Sequence, residues 1–332
     1  MNCVLLCPGQ GAQTIGMGTS WRNVASAAAQ TFADADRVLG DSLPGGAPLS
    51  RLCAEGPAEV LNRTDVSQPA LYTCGVACFR ALQQKRGEVH VEAAAGLSLG
   101  EYTALHLAGG LSFEDGLRLV ALRGKLMQQA AESSKGSMVA LIGADEAQAQ
   151  AVCDRTVAAL GGTEVLVPAN FNAPGQIVLS GHLAACQRAI EVASELGMRA
   201  TQLQVAGAFH SPLMAPAAEG LAKALAHVEF RPLAADVWSN VTARPHARTG
   251  SAEGNAGMIR KLLVDQLVSP VRWSQSCTDL LATLASRTNP LATGVKFWEM
   301  APGSVLKGLM RRIDRACEVM THDQANEPTV GA

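Results

Sequence analysis

Short apolar runs that stop at glycine or proline alternate along this chain with longer stretches of helical period. The first run, CVLLCPGQG, predicts a buried strand broken at Pro8-Gly9. VSQPALYTCGVACFRALQQK predicts an amphipathic helix starting near Gln68-Pro69, with the proline in its first turn. VHVEAAAGLS predicts a second buried strand running into a turn at Gly96, and GEYTALHLAGG a short helix closed by glycines. In SFEDGLRLVALRGKLMQQAA, Ser112 followed three positions on by Asp115 marks the start of a long helix.

The pattern then changes. GSMVALIG, EVLVPANFN, GQIVLSG and MRATQLQV read as strands, and ADEAQAQAVCDRTVAAL and HLAACQRAIEVASELG as helices. Their order is β-α-β-β-α-β, the split unit of ferredoxin-like folds. Residues 136–205 are therefore expected to form a compact insert within a larger α/β domain made of residues 1–135 and 206–318. In the second part of that domain HSPLMAPAAEGLAKALAHV is helical, ADVWSNVT a strand, and AGMIRKLLVDQLVSPVRW a helix ending before Pro270. QSCTDLLATLA is a helix, VKFWEMAP a strand and GSVLKGLMRRI a last helix. HARTGSAEGNAG reads as a solvated loop, and the polar residues 319–332 as a frayed tail.

Candidate chemistry sits at the second strand's exit. Gly96-Leu97-Ser98-Leu99-Gly100 fits G-x-S-x-G, with an apolar strand before it and a helix after it, the context of a nucleophile elbow; a structural turn is the alternative. Ser98 would stand at a helix N-terminus, where free N–H groups favour developing negative charge. A serine hydroxyl needs a base. Of seven histidines, His210 follows an apolar strand at a strand-to-helix junction, whereas His322 lies in the polar tail and is discounted. Arg123 shares the apolar helix face of Leu119, Leu126, Met127 and Ala130, while Arg118 and Lys125 face the other way. A cation there is costly unless an acid or an anionic substrate satisfies it.

Composition narrows the function classes. With 332 residues, 48% hydrophobic and 17% charged, the chain can bury a sizeable core. A net charge of -2 without a basic run argues against nucleic acid. No apolar stretch reaches membrane-spanning length, and MNCVLLCPGQG lacks the basic start of a secretory signal. Nine scattered cysteines read as reduced, buried thiols in a reducing compartment, and their spacing does not resemble a metal site.

Six blocks then occur in order: PGQGAQTIGMG, GLSLGEYTALHLAGGLSFEDGLRLVALRGKLMQ, NFNAPGQIVLSG, GAFHSPLMAPA, VDQLVSPVRW and APGSVLKGLMRR. Together, over about residues 3–314, they resemble malonyl-CoA:acyl-carrier-protein transacylase of the dissociated (type II) fatty acid synthase. GLSLGEYTAL with GAFHS is most similar to plastid (plant and algal) and some bacterial members. Usual bacterial members carry histidine before the serine, where Leu97 stands here. The resemblance implies an α/β-hydrolase-like main domain with a ferredoxin-like insert. It implies malonyl transfer from malonyl-CoA to acyl carrier protein through a malonyl-serine, with no metal and no cofactor. By the same resemblance Ser98 is the nucleophile, His210 the general base and Arg123 the receptor of the malonyl carboxylate. Backbone N–H groups of Gln10 and Leu99 form the oxyanion hole, the backbone carbonyl of Gln266 orients the histidine, and Met127 and Asn172 line the pocket. A monomer in plastid stroma or bacterial cytoplasm is expected, with Lys307, Arg311 and Arg312 as candidates for meeting an acidic carrier. Three other readings stay open. A serine esterase or thioesterase could use the same pair, although a neutral acyl group would leave Arg123 unpaired. A trans-acting malonyl acyltransferase of polyketide synthesis shares the blocks. A dead carrier-binding scaffold would require all six blocks to coincide by chance.

Overall fold

The computed structural model describes residues 1–286 and 295–325. Its strands are β1 (Asn2–Cys7), β2 (His90–Gly96), β3 (Gly136–Ile142), β4 (Leu166–Ala173), β5 (Gln176–His182), β6 (Arg199–Gln202), β7 (Asp236–Trp238), β8 (Lys296–Glu299) and β9 (Val319–Thr321). Five of them form a parallel sheet ordered β7-β2-β1-β8-β9. β1 is central because it is apolar on both faces. Cys3, Leu5 and Cys7 enter one hydrophobic cluster while Val4 and Leu6 enter another, as a strand covered by helices on both sides requires. Beside it, Ala94 of β2 joins the first cluster, and Ala93 and Ala95 join the second. Helices Thr64–Arg86 and Phe113–Ser134 supply the first cluster, and Trp273–Ser286 and Val305–Ile313 the second.

The other four strands form an antiparallel sheet ordered β4-β5-β3-β6. Helices Glu146–Ala159 and Leu183–Glu195 cover it, with Val152, Ala189 and Val192 packed into one cluster with Val139, Leu141 and Leu179. This is the split β-α-β-β-α-β order that the sequence pattern predicts, and the chain is a mixed α/β protein with a small antiparallel subdomain. Phe171 donates its N–H to the Val271 carbonyl (2.9 Å) and Val271 donates to that of Ala169 (2.8 Å), so the edge strand β4 is stitched to the main sheet's half of the molecule.

Several sequence expectations need correction. The helix expected near Gln68 starts at Thr64, and Pro69 lies inside it. Nor is it amphipathic: residues from Val66 to Phe79 are buried without a break, so tertiary burial outweighs the hydrogen bond that the proline removes. The stretch before it, from which the pattern yields no element, holds helices Thr19–Val24, Ser26–Leu39, Leu49–Glu55 and Ala58–Leu61. HARTGSAEGNAG is not simply a solvated loop. His246 is buried, and helix Ala252–Asp265 starts within the stretch, capped by Ser251 Oγ, which accepts from the Gly254 N–H at 3.1 Å. The expected frayed tail, 319–332, is ordered through residue 325. β9 pairs with β8, and the buried His322 meets the Trp298 ring edge-on at 5.0 Å. The carbonyl of His322 accepts from Trp21 Nε1 at 2.8 Å. Residues 326–332 lie outside the described residues.

Candidate active site

The elbow forms because two glycines allow backbone to cross backbone. A Cβ on Gly96 would lie 1.9 Å from the Gly100 carbonyl carbon, and one on Gly100 would lie 2.0 Å from the Cys7 oxygen. Ser98, between β2 and the helix Gly100–Leu107, is thereby forced to φ 53°, a left-handed conformation costing a serine roughly 1–2 kcal/mol. Asn240 offsets that cost. Its Oδ1 accepts from the Ser98 N–H and its Nδ2 donates to the Gly96 carbonyl, each at 2.7 Å.

His210 also adopts a left-handed backbone, with φ 56°. Its Nε2 lies 2.8 Å from Ser98 Oγ and its Nδ1 lies 2.8 Å from the Gln266 carbonyl. A carbonyl only accepts, so Nδ1 carries the proton and Nε2 is left to accept from the serine. Gln266 follows the last turn of helix Ala252–Asp265, where carbonyls lack helical partners and the dipole is negative. Burial and then the neighbouring Arg123 charge push the His210 pKa down to about 4, against the raising effect of the Gln266 bond. The imidazole is thus neutral near pH 7 and free to take a proton.

Arg123 reaches the same point from helix Phe113–Ser134. Gly124 lets this helix approach Thr64–Arg86 closely, since a Cβ there would sit 2.6 Å from the Thr64 oxygen. The guanidinium, 1% exposed, donates from Nη1 to Gln68 Oε1 (2.7 Å) and from Nη2 to Ser98 Oγ (3.0 Å) and Gln266 Oε1 (2.9 Å). None of these partners is a carboxylate, and the buried Nε has no partner. Burial lowers its pKa, offset in part by Tyr102, whose ring lies 5.4 Å below the guanidinium, and by the Glu101 charge. Met127 is buried, and its sulfur accepts from Gln68 Nε2 at 3.3 Å, so it packs behind the arginine's own anchor.

Gln10 lies in the turn after β1, which is tied to the elbow by the Leu97 N–H donating to the Cys7 carbonyl (3.0 Å). The backbone N–H groups of Gln10 and Leu99 take no part in the turn hydrogen bonds that fix these loops. Asn172 is not hydrogen-bonded to this cluster. It sits in β4 between Phe171 and Ala173, which line a separate cleft of about 960 Å³, and its buried Oδ1 has no partner. Lys307, Arg311 and Arg312 are exposed on helix Val305–Ile313.

Four polar residues of the site escaped sequence reasoning: Gln68, Glu101, Asn240 and His246. The buried Glu101 carboxylate accepts from the Asn240 N–H (3.0 Å), Gln266 Nε2 (2.7 Å) and His246 Nε2 (2.8 Å). Gln68 carried a signal, as a lone amide in an apolar helix, and so did Glu101, an acid directly after the elbow glycine. Asn240 and His246 carried none.

A serine that can lose its proton to a neutral histidine, beside a buried cation, is suited to carrying an acyl group as an ester, which is the business of acyltransferases. The chain belongs to the acyl transferase family, whose description is "Acyl transferase domain" and whose model it matches over residues 4–288. It is 39% identical to the malonyl CoA-acyl carrier protein transacylase of Escherichia coli (strain K12) over 98% of this chain and 96% of that protein. Among solved structures it is similar to the malonyl-CoA:acyl carrier protein transacylase of Xanthomonas oryzae, with TM-score 0.85, 39% identity, and coverage of 97% of this chain and 95% of that one. It is also similar to a malonyl-transacylase in complex with its type II polyketide synthase acyl-carrier protein, with TM-score 0.85, 36% identity, and coverage of 98% and 97%.

Proposed function

We propose that this chain transfers a malonyl group from malonyl-CoA to the phosphopantetheine thiol of an acyl carrier protein, through an ester on Ser98, and so supplies lipid synthesis. The observation that carries the reading is the contact between Arg123 and Ser98 at 3.0 Å. In a malonyl thioester one methylene separates the carboxylate from the reacting carbonyl, so its receptor must lie next to the nucleophile. Arg123 does, and it has no acid of its own in hydrogen-bond contact. An esterase of neutral acyl groups has no use for such a cation.

His210 Nε2 takes the Ser98 proton as Oγ adds to the thioester carbonyl. The resulting oxyanion is received by the N–H groups of Gln10 and Leu99, each contributing about 3–4 kcal/mol. Collapse of the adduct breaks the C–S bond, and the leaving sulfur takes the proton back from His210. A base with its pKa pushed down to about 4 releases that proton readily. The ester remains, its carboxylate on Arg123, until the carrier thiol enters and the steps run in reverse. Met127 fixes the arginine through Gln68, whereas Asn172, beside the separate cleft, takes no part in these steps. The carrier is acidic and meets the exposed Lys307, Arg311 and Arg312. No helix among the described residues is long and apolar enough to cross a membrane. The protein works as a monomer in a reducing compartment, bacterial cytoplasm or plastid stroma, a placement supported by its nine free thiols. A polyketide carrier is the second reading, favoured by the structural relative bound to one; transfer rates to the two kinds of carrier decide between them.

Intact mass spectrometry tests the main reading. After mixing with malonyl-CoA the protein should gain one malonyl group and lose it when a phosphopantetheinylated carrier protein is added. A protein that hydrolyses malonyl-CoA without ever passing the group on is an esterase, and the reading fails. His210→Ala should slow acylation by about a hundredfold, the usual contribution of a general base, in single-turnover assays. An unchanged rate would assign the base elsewhere.

A further inference from the structure

Glu101 and Arg123 are both fully buried, carry opposite charges and do not touch; the Gln266 amide stands between them. A carboxylate only accepts hydrogen bonds and a guanidinium only donates them. Gln266 Nε2 must therefore face Glu101 (2.7 Å), which turns Oε1 toward Arg123 (2.9 Å). The same amide group donates to the Ser98 carbonyl at 3.1 Å, and the Gln266 backbone carbonyl holds His210. The other Glu101 oxygen is occupied by His246 Nε2 at 2.8 Å, and the Asn240 N–H shares the first, so the carboxylate is fixed from three sides.

We propose that Glu101 is a positioning residue that acts as the counterion of Arg123 through the Gln266 amide, and that this spaced ion pair sets the preference for an anionic acyl group. An acid in direct contact would fill the guanidinium fork and compete with the substrate carboxylate. With an amide between them, the cation is balanced and aimed while Nε and part of Nη1 stay open for the incoming anion. His246 holds the outer end of the chain. Its Nδ1 is buried without a partner, so the ring has a second tautomer available to it.

That tautomer makes the test clean. In Glu101→Gln the new amide can keep its oxygen toward Gln266 and Asn240 and turn its NH2 toward His246, which then accepts through Nε2 and carries its proton on Nδ1. The fold is retained, but the charge is gone and Gln266 is no longer held in one orientation. The inference rests on the malonyl-transfer reading. Failure of that reading shows as a wild-type protein without malonyl transfer, whereas failure of this inference shows only in the variant. The measurement is kcat/KM for malonyl-CoA and acetyl-CoA, with melting curves on the same samples. Glu101→Gln should lower the malonyl-to-acetyl ratio about tenfold, with the loss mainly in KM for malonyl-CoA. A purely structural glutamate predicts equal losses on both substrates. A ratio that stays level or rises in a folded Glu101→Gln protein overturns the proposal. Should that variant not fold, Glu101→Asp carries the test, because it keeps the charge but withdraws it by a methylene from Gln266. There too the ratio should fall, and a wild-type ratio overturns the proposal.

Discussion

Ser98→Ala should abolish the malonyl adduct and reduce transfer by at least ~10⁴-fold, the scale on which Ser–His enzymes lose turnover when the serine is removed. The fold should persist. Alanine keeps the Cβ, so the strain at φ 53° is unchanged, and Asn240 still binds the backbone on both sides of the turn. No thiol offers a substitute. Eight of the nine thiols are buried, and desolvation raises Cys7 and Cys74 far above the range in which a thiolate forms. The half-buried Cys317 is pushed up to about 11 by burial and then by Asp314. A Ser98→Ala protein that acquires a malonyl group at the wild-type rate, by intact mass, would show that the ester forms elsewhere.

Arg123→Ala should cost malonyl transfer several hundredfold or more. A carboxylate brought into a buried site without its partner is penalised by about 3–5 kcal/mol. Acetyl transfer should fall far less, so the malonyl-to-acetyl ratio of kcat/KM collapses. Arg123→Lys should recover little, because an ammonium cannot span the Gln68 and Gln266 oxygens and a substrate carboxylate at once. The melting temperature should drop as well, since two buried amide oxygens lose their donor at about 1–3 kcal/mol each. The substrate ratio, not the loss of activity, is therefore the deciding quantity. A ratio that stays at the wild-type value in Arg123→Ala would remove the arginine from substrate choice.

What was legible in the sequence had local causes. G-x-S-x-G announces the elbow because the turn itself brings Gly96 onto the Gly100 backbone, although Gly100 is also demanded by the distant Cys7 carbonyl. The β-α-β-β-α-β insert announces itself through alternating periods. Arg123 stood out because a cation interrupts an apolar helix face. The 2.8 Å contact of Ser98 with His210 was only suggested by the histidine's place after an apolar run, and the family resemblance fixed it, as 112 residues separate the two and no local pattern records their meeting. Asn240 and His246 were hidden for the same reason: each sits in an unremarkable polar stretch and acquires meaning from Glu101 and the elbow. The tail was misread because a three-residue strand is too short to show a period, and its polar letters conceal a histidine packed on tryptophan. Pro69 misplaced a helix start because the rule for isolated helices yields when the whole helix is buried.

The order β7-β2-β1-β8-β9 has a consequence for synthesis on the ribosome. The central strand is the first of the five to emerge, but its partner on one side, β8, follows it by about 290 residues, which at roughly 5–20 residues per second takes about 15–60 s. Through that interval one side of β1 has no native partner, and such an edge templates pairing with foreign chains. Chaperone dependence during translation should therefore concentrate between the emergence of Cys7 and that of Glu299. A nascent chain released before Gln266 would carry Ser98, Arg123 and His210 without the carbonyl that orients the histidine.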